Sequence, residues 1–159
     1  MVMVRTPKPG HRKDTAMAAR KNTHVPRGGH AAAGTQPTAL EAQPASPSRI
    51  AVIGSRDFSD ARMVAAIMGE YLPHIRLLIS GGAEGADRAG ARWARKNGIE
   101  TLVFHPDHKK YRHPYHHRNR LIVEAAELVV AFWNGHSTGT AYTVEYARRL
   151  GRPCRVVKV

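Results

Sequence analysis

From Arg49 onward, short apolar runs alternate with stretches whose apolar residues recur every three or four positions. Ile50-Ala51-Val52-Ile53 reads as a buried strand, since a strand covered on both faces is continuously apolar. Ser59 or Asp60 can cap a helix whose apolar face is Val64, Ile67, Met68 and Tyr71, with Pro73 as its stop. Leu77 to Ile79 is a second strand, followed by a glycine turn and another helix. In that helix Ala86, Ala89, Gly90, Trp93 and Ala94 share one face, and Arg88, Arg92, Arg95 and Lys96 take the other. Asn97-Gly98 supplies its left-handed stop. Thr101 to Phe104 is a third strand; a long polar connection and a helix from about Arg118 to Ala126 follow. Leu128 to Phe132 is the fourth strand. Thr138 opens the last helix, with the stripe Ala141, Val144, Ala147 and Leu150, and Gly151 and Pro153 end it. Arg155 to Val159 completes the set.

Strands separated by helices predict an α/β domain of three layers, with a five-stranded parallel sheet covered on both faces. Two strand orders fit, and 3-2-1-4-5 is favoured over 2-1-3-4-5. In that order strands 2, 1 and 4 are neighbours and the chain reverses between 1 and 4, where such sheets bind ligands at their carboxyl edge. The loops Gly54 to Ser59, Ser80 to Asp87 and Asn134 to Thr140 then gather at one rim.

Residues 1–48 differ in kind. They are rich in Pro, Gly, Ala and Arg, with seven Lys/Arg against Asp14 and Glu41 and almost no large apolar residues. Such a segment cannot bury enough surface to offset its ordering entropy, so it is read as a disordered basic tail before a folded domain at 49–159. Met17 offers an internal alternative start. The net charge of +13 draws the chain toward polyanions, and the tail is a candidate for non-specific nucleic-acid contact. No run reaches the ~18 apolar residues of a membrane span, and no secretory core is visible. The single cysteine, Cys154, falls in a predicted strand, as expected of a small core residue in the cytoplasm.

The chemistry concentrates in the three loops. Gly81, Gly82, Gly85 and Ala86 lie between a strand and a helix, an arrangement that turns free backbone N–H groups toward a phosphate. The competing reading is a tight connection with no ligand. Gly54, Ser55 and Arg56 follow the first strand. Arg56 can grip a phosphate bidentately or pair with Asp57 or Asp60. Ser137, Thr138, Gly139 and Thr140 form a second small-residue turn at a helix start, where an exposed anion gains about 0.3–1 kcal/mol from the dipole. Asp87, in a first helical turn, can cap amides or accept from a ribose hydroxyl or water. Glu145 is the other candidate catalytic carboxylate.

The connection His105 to His117 holds five histidines among basic residues. Pro114 stands between His113 and His117, so a helical metal-binding pair is not expected, and no metal or cofactor is assigned. A basic lid is expected instead, with Arg118 and Asn119 facing the cleft.

Ile50 to Arg56 (IAVIGSR), Asp57-Phe58-Ser59, Gly81 to Asp87 (GGAEGAD), Arg118-Asn119-Arg120 and Ser137-Thr138-Gly139-Thr140 occur in this order. Together they resemble the YspA-like, cpYpsA-related branch of the SLOG superfamily, over residues 49–159. The resemblance implies a Rossmann-like domain that binds nucleotides or nucleotide-derived ligands. Related LOG phosphoribohydrolases cleave an N-glycosidic bond, and the DNA-processing protein A branch binds single-stranded DNA. The LOG pattern places Glu three residues after the glycine-threonine pair; here Gly139-Thr140 is followed by Thr143, and the nearest acid is Glu145.

The expected function is binding or sensing of a nucleotide or nucleotide-derived small molecule in a phosphate-cradling cleft. A hydrolase or transferase acting on the N-glycosidic bond is the alternative, with Asp87 or Glu145 as its carboxylate. A DNA-binding protein is the third. Self-association stays open, and no membrane partner is expected.

Overall fold

The computed structural model describes residues 46–159, so the reading of residues 1–45 as a basic disordered tail lies outside the described residues. The elements are β1 (Arg49–Gly54), α1 (Ala61–Gly69), β2 (Leu77–Ser80), α2 (Ala86–Lys96), β3 (Glu100–Val103), α3 (Pro114–Ala125), β4 (Leu128–Trp133), α4 (Thr138–Arg149) and β5 (Cys154–Lys158). The sheet is parallel throughout, in the order β3-β2-β1-β4-β5. This is the favoured topology, and the chain is Rossmann-like.

Alternation along the strands divides the core. Ile50, Val52, Leu78, Val130 and Phe132 point to one face and pack with Val64 and Met68 of α1 and Ala86, Ala89 and Ala94 of α2. Ala51, Ile53, Ile79, Val129 and Ala131 point to the other, against Ile122 and Val123 of α3 and Val144 and Ala147 of α4. Strand residues on both faces reach 0 % exposure, and burying each such Val, Ile or Leu side chain contributes about 1.5–3 kcal/mol. The small face of α2 has a direct reason: a methyl group on Gly90 would come within 2.8 Å of Val52 Cγ1.

Asp60 caps α1, its Oδ1 accepting from the amides of Arg62 and Met63 at 2.9 Å. Glu127, just before β4, accepts from the amides of Ser48 and Arg49 at 2.8 and 3.2 Å and so fixes the start of β1.

The clearest departure from the sequence reading is α3, which begins at Pro114 rather than near Arg118. Proline suits the first helical position, where its missing N–H has no intrahelical partner to lose. The helix therefore runs through the segment expected to be broken there, and His117 donates its amide to the His113 carbonyl at 3.0 Å. Ahead of it, Asp107 Oδ1 accepts from the amides of Lys109 and Lys110 at 3.0 and 3.1 Å, folding the connection into a capped turn. No helix among the described residues is long and apolar enough to cross a membrane.

Candidate functional site

Because β2, β1 and β4 are adjacent, the loops leaving their carboxyl ends meet. Ser55 stitches two of them together: its amide donates to the Phe132 carbonyl at 2.9 Å, and its Oγ accepts from the Asn134 amide at 3.1 Å. Gly85 joins the third, at φ 79°, with no room for a side chain beside the carbonyls of Ser55 and Arg56. Gly54 is likewise wedged between Phe132 and Ala86. Between the loops opens a cleft of about 90 Å³, lined by Ile53, Gly54, Arg56, Ala83, Asp87, Tyr115, Arg118, Asn119, Ser137, Gly139, Thr140 and Thr143. It continues into a wider hollow of about 360 Å³ bounded by Arg56, Gly81, Gly82, Arg88, His105, Tyr115 and Arg118.

Two amides of the glycine turn, those of Gly81 and Gly82, are already bonded within the protein. Asp87 is 3 % exposed, and its Oδ2 accepts from the Gly81 amide at 2.9 Å. Backbone groups of Ala83 and Gly54 also turn toward this carboxylate. The Gly82 amide donates to Ser80 Oγ at 3.1 Å. A side-chain carboxylate thus sits against the first amide of this turn, while Gly82, Ala83 and Glu84 border the open hollow. Burial pushes the Asp87 carboxyl up to about 6, outweighing the opposing pull of Arg118 and of those amides.

Arg118 comes from the second turn of α3 and is itself 7 % exposed. Its Nη1 stands 3.8 Å from Asp87 Oδ2, and Gly81 is glycine because a Cβ there would land on this guanidinium. The Nε of Arg118 is buried without a partner. Desolvation lowers its affinity for the proton, and the neighbouring Arg56 lowers it further. Both guanidinium groups flank the Tyr115 ring, 5.9 and 6.0 Å from its centroid. Two guanidinium groups therefore face one buried carboxylate across the cleft.

The third wall is the start of α4. Ser137 is its cap, with Oγ accepting from Thr140 Oγ1 at 2.9 Å and the Thr140 amide at 3.4 Å. Asn134 Oδ1 accepts from the amides of His136 and Ser137 at 2.9 and 3.0 Å. The amides of Thr138 and Gly139 open the helix and have no carbonyl four residues back to bond. Asn119 Nδ2 donates to the Gly139 carbonyl at 3.4 Å, and Thr143 Oγ1 to the same oxygen at 2.8 Å.

Of the residues singled out in the sequence, Gly54, Arg56, Asp87, Arg118, Asn119, Ser137, Gly139 and Thr140 line the cleft, and Gly81 and Gly82 line the adjoining hollow. Ser55, Gly85 and Ala86 lie behind it and hold the loops in place. Thr138 is exposed at the first helical position. Glu145 is not brought to the cleft: it is exposed on α4, 4.0 Å from Arg149. Tyr115 and Thr143 line the cleft and were missed. Tyr115 was legible once Pro114 is taken as the first helical residue, since Tyr115, Arg118 and Asn119 then share a face at helical spacing. Beside the cleft, His116 stacks on Tyr142 with centroids 4.1 Å apart and planes at 11°, and Tyr142 runs parallel to Tyr146 at 6.5 Å. Among the described residues, no group of three or more His, Cys, Asp or Glu is placed to hold a metal ion.

Comparison with known proteins agrees with this architecture. The chain is similar in structure to DNA processing protein A from Streptococcus pneumoniae, at 22% identity and a TM-score of 0.61, covering 70% of this chain and 50% of that one. It is also similar to DNA processing protein A from Helicobacter pylori, at 16% identity and a TM-score of 0.52, over 70% of this chain and 65% of that one. That protein binds single-stranded DNA. A third likeness is to the structural-genomics target TM1055, at 21% identity and a TM-score of 0.56, over 67% of this chain and 72% of that one. At these identities the likeness is one of fold, and the chain spans half to two thirds of the DNA processing proteins it matches. No curated protein matches the chain in sequence. The profile of the YspA, cpYpsA-related SLOG family matches residues 48–111, from β1 through the glycine turn to the loop after β3. Over that span the chain is similar to the YspA-like, cpYpsA-related branch of the SLOG superfamily.

Proposed function

We propose that the cleft binds a nucleotide or nucleotide-derived ligand, with its phosphate at the start of α4 between Arg56 and Arg118. The observation that carries this reading is the charge balance of the cleft. Two guanidinium groups and a helix N-terminus converge, and the one carboxylate among them is already held by the glycine turn. The helix start contributes the amides of Thr138 and Gly139 and the hydroxyls of Ser137 and Thr140. The 90 Å³ cleft suits a phosphate, while the wider hollow beside Tyr115 takes the rest of the ligand. Similarity to the YspA, cpYpsA-related SLOG family over residues 48–111 supports a nucleotide-related role.

The test is calorimetric titration of the full chain with a panel of mononucleotides and dinucleotides, beside Gly139→Asp. Nothing lies within 4 Å of a Cβ added at Gly139, so the variant folds, while its carboxylate repels a phosphate. Saturable binding abolished by this substitution supports the reading; a panel without any binding rejects it.

One observation favours a catalytic version. A carboxyl raised to about 6 at the cleft wall suits proton transfer near neutral pH, so Asp87 fits as general acid or base in cleavage of a ribosyl–base bond. Glu145, on the exposed side of α4, has no part in it. Base release from nucleoside monophosphates, lost in Asp87→Asn, supports this version.

A different observation favours single-stranded DNA as ligand. The His116, Tyr142 and Tyr146 rings form a parallel series beside the cleft, of the kind on which bases stack. DNA processing protein A of Helicobacter pylori, similar in fold, binds such strands.

A further inference from the structure

Behind the N-terminal turns of α3 lies a second cavity of about 160 Å³, lined by Val103, Phe104, His105, Asp107, Lys110, Tyr111, Pro114, His117, Arg118 and Leu121. It is far roomier than the roughly 10–15 Å³ that a single water needs. Its polar lining is lopsided. Two adjacent residues of α3 leave buried nitrogens with no partner, His117 Nδ1 and Arg118 Nε. A guanidinium N–H can only donate, and an imidazole nitrogen donates in one of its tautomers. His105 and the Lys110 ammonium add further donors. Asp107 brings the one carboxylate of the lining, and its Oδ1 is already bonded to the amides of Lys109 and Lys110. Leaving a buried donor without an acceptor is costly, and with Lys110 and His105 beside them the lining has more donors than acceptors, a balance that suits an anion.

We propose that this cavity is a second anion subsite, which takes a phosphoryl group through His117, Lys110 and Arg118. Arg118 walls both this cavity and the cleft at the α4 start, and His105 borders both this cavity and the hollow between them. With Arg118 as a shared wall, an anion in each space narrows the ligand class to molecules with two separated phosphoryl groups, such as a dinucleotide. That narrowing rests on the nucleotide reading of the cleft; the subsite itself does not.

Sodium phosphate and AMP are the probes, titrated separately into the isotope-labelled full chain with the His117 side-chain and Gly139 backbone resonances followed by NMR. Phosphate is expected to shift His117 saturably, and Lys110→Gln, at an exposed position, to weaken that response about tenfold. His117→Gln, which keeps a donor but not the ring, provides a second variant; there the Arg118 Nε–H resonance is the readout, and phosphate is expected to shift it less than in wild type. A His117 signal unmoved by phosphate, or one moved equally in wild type and Lys110→Gln, overturns the subsite. The two ideas fail separately: AMP shifting Gly139 while phosphate leaves His117 untouched retains the cleft and rejects the subsite. The reverse pattern retains the subsite and rejects the cleft.

Discussion

The Asp87 carboxylate lies 3.8 Å from the Arg118 guanidinium, and both side chains are more than nine-tenths buried. This pair decides how the rim works. Asp87 closes the glycine turn on itself through the Gly81 amide, while Arg118 is held at the cleft wall with its Nε unpartnered. An anion arriving at the start of α4 meets a second guanidinium from Arg56, so the site gains from negative charge that Asp87 alone does not supply.

The buried carboxylate gives a pH signature. Its folded value, about 6, lies above the value of 3.8 for the free group, so the folded protein binds the extra proton between them. Below about pH 4 the group is protonated in both states and carries no penalty. Stability is then lost as pH rises through 6, by about 3 kcal/mol at 1.36 kcal/mol per unit. Asp87→Asn, which mimics the protonated form, removes that slope. Denaturant unfolding of both proteins from pH 4 to 7 should show the variant matching wild type at pH 4 and exceeding it at pH 7. A wild type that gains stability relative to the variant over this range contradicts the assignment.

Two glycines should respond oppositely to a single methyl group. Gly81→Ala drives Cβ into the Arg118 guanidinium, which must leave Asp87, so a loss of about 3 kcal/mol or more is expected. Gly139→Ala meets open space at the start of α4 and relieves the entropy cost of glycine, for a gain of about 0.5–1 kcal/mol. Thermal unfolding of the two variants separates these outcomes.

The ring series on α3 and α4 carries its own prediction. If single strands are the ligand, Tyr142→Ala removes the ring on which His116 stacks and weakens binding of an oligothymidine by about 1–3 kcal/mol. Fluorescence anisotropy at two salt concentrations measures it. Equal affinity for wild type and variant excludes the rings from any strand-binding role.

The strand order followed from sequence because every strand is a short apolar run and every helix has a readable stripe. The meeting of the three loops followed from that order. Other features were not legible, for definable reasons. Asp87 was one of several carboxylates near glycines, and whether its side chain would turn inward to the Gly81 amide depends on Arg118, 31 positions later in the chain. Pro114 was taken as a break where it serves as a helix start, which hid Tyr115. Thr143 reaches the cleft by folding its hydroxyl back on Gly139, a local choice that periodicity does not report.

The most direct test of the cleft is the pattern of backbone amide shifts when the full chain is titrated with mononucleotides and dinucleotides. The account predicts that Thr138, Gly139 and Thr140 move saturably with at least one of them, that the Gly81 amide, already bonded to Asp87, moves little, and that Gly139→Asp abolishes the response. Shifts centred on Gly81 and Gly82 with the α4 turn unmoved, or no saturable shift with any nucleotide, would contradict it.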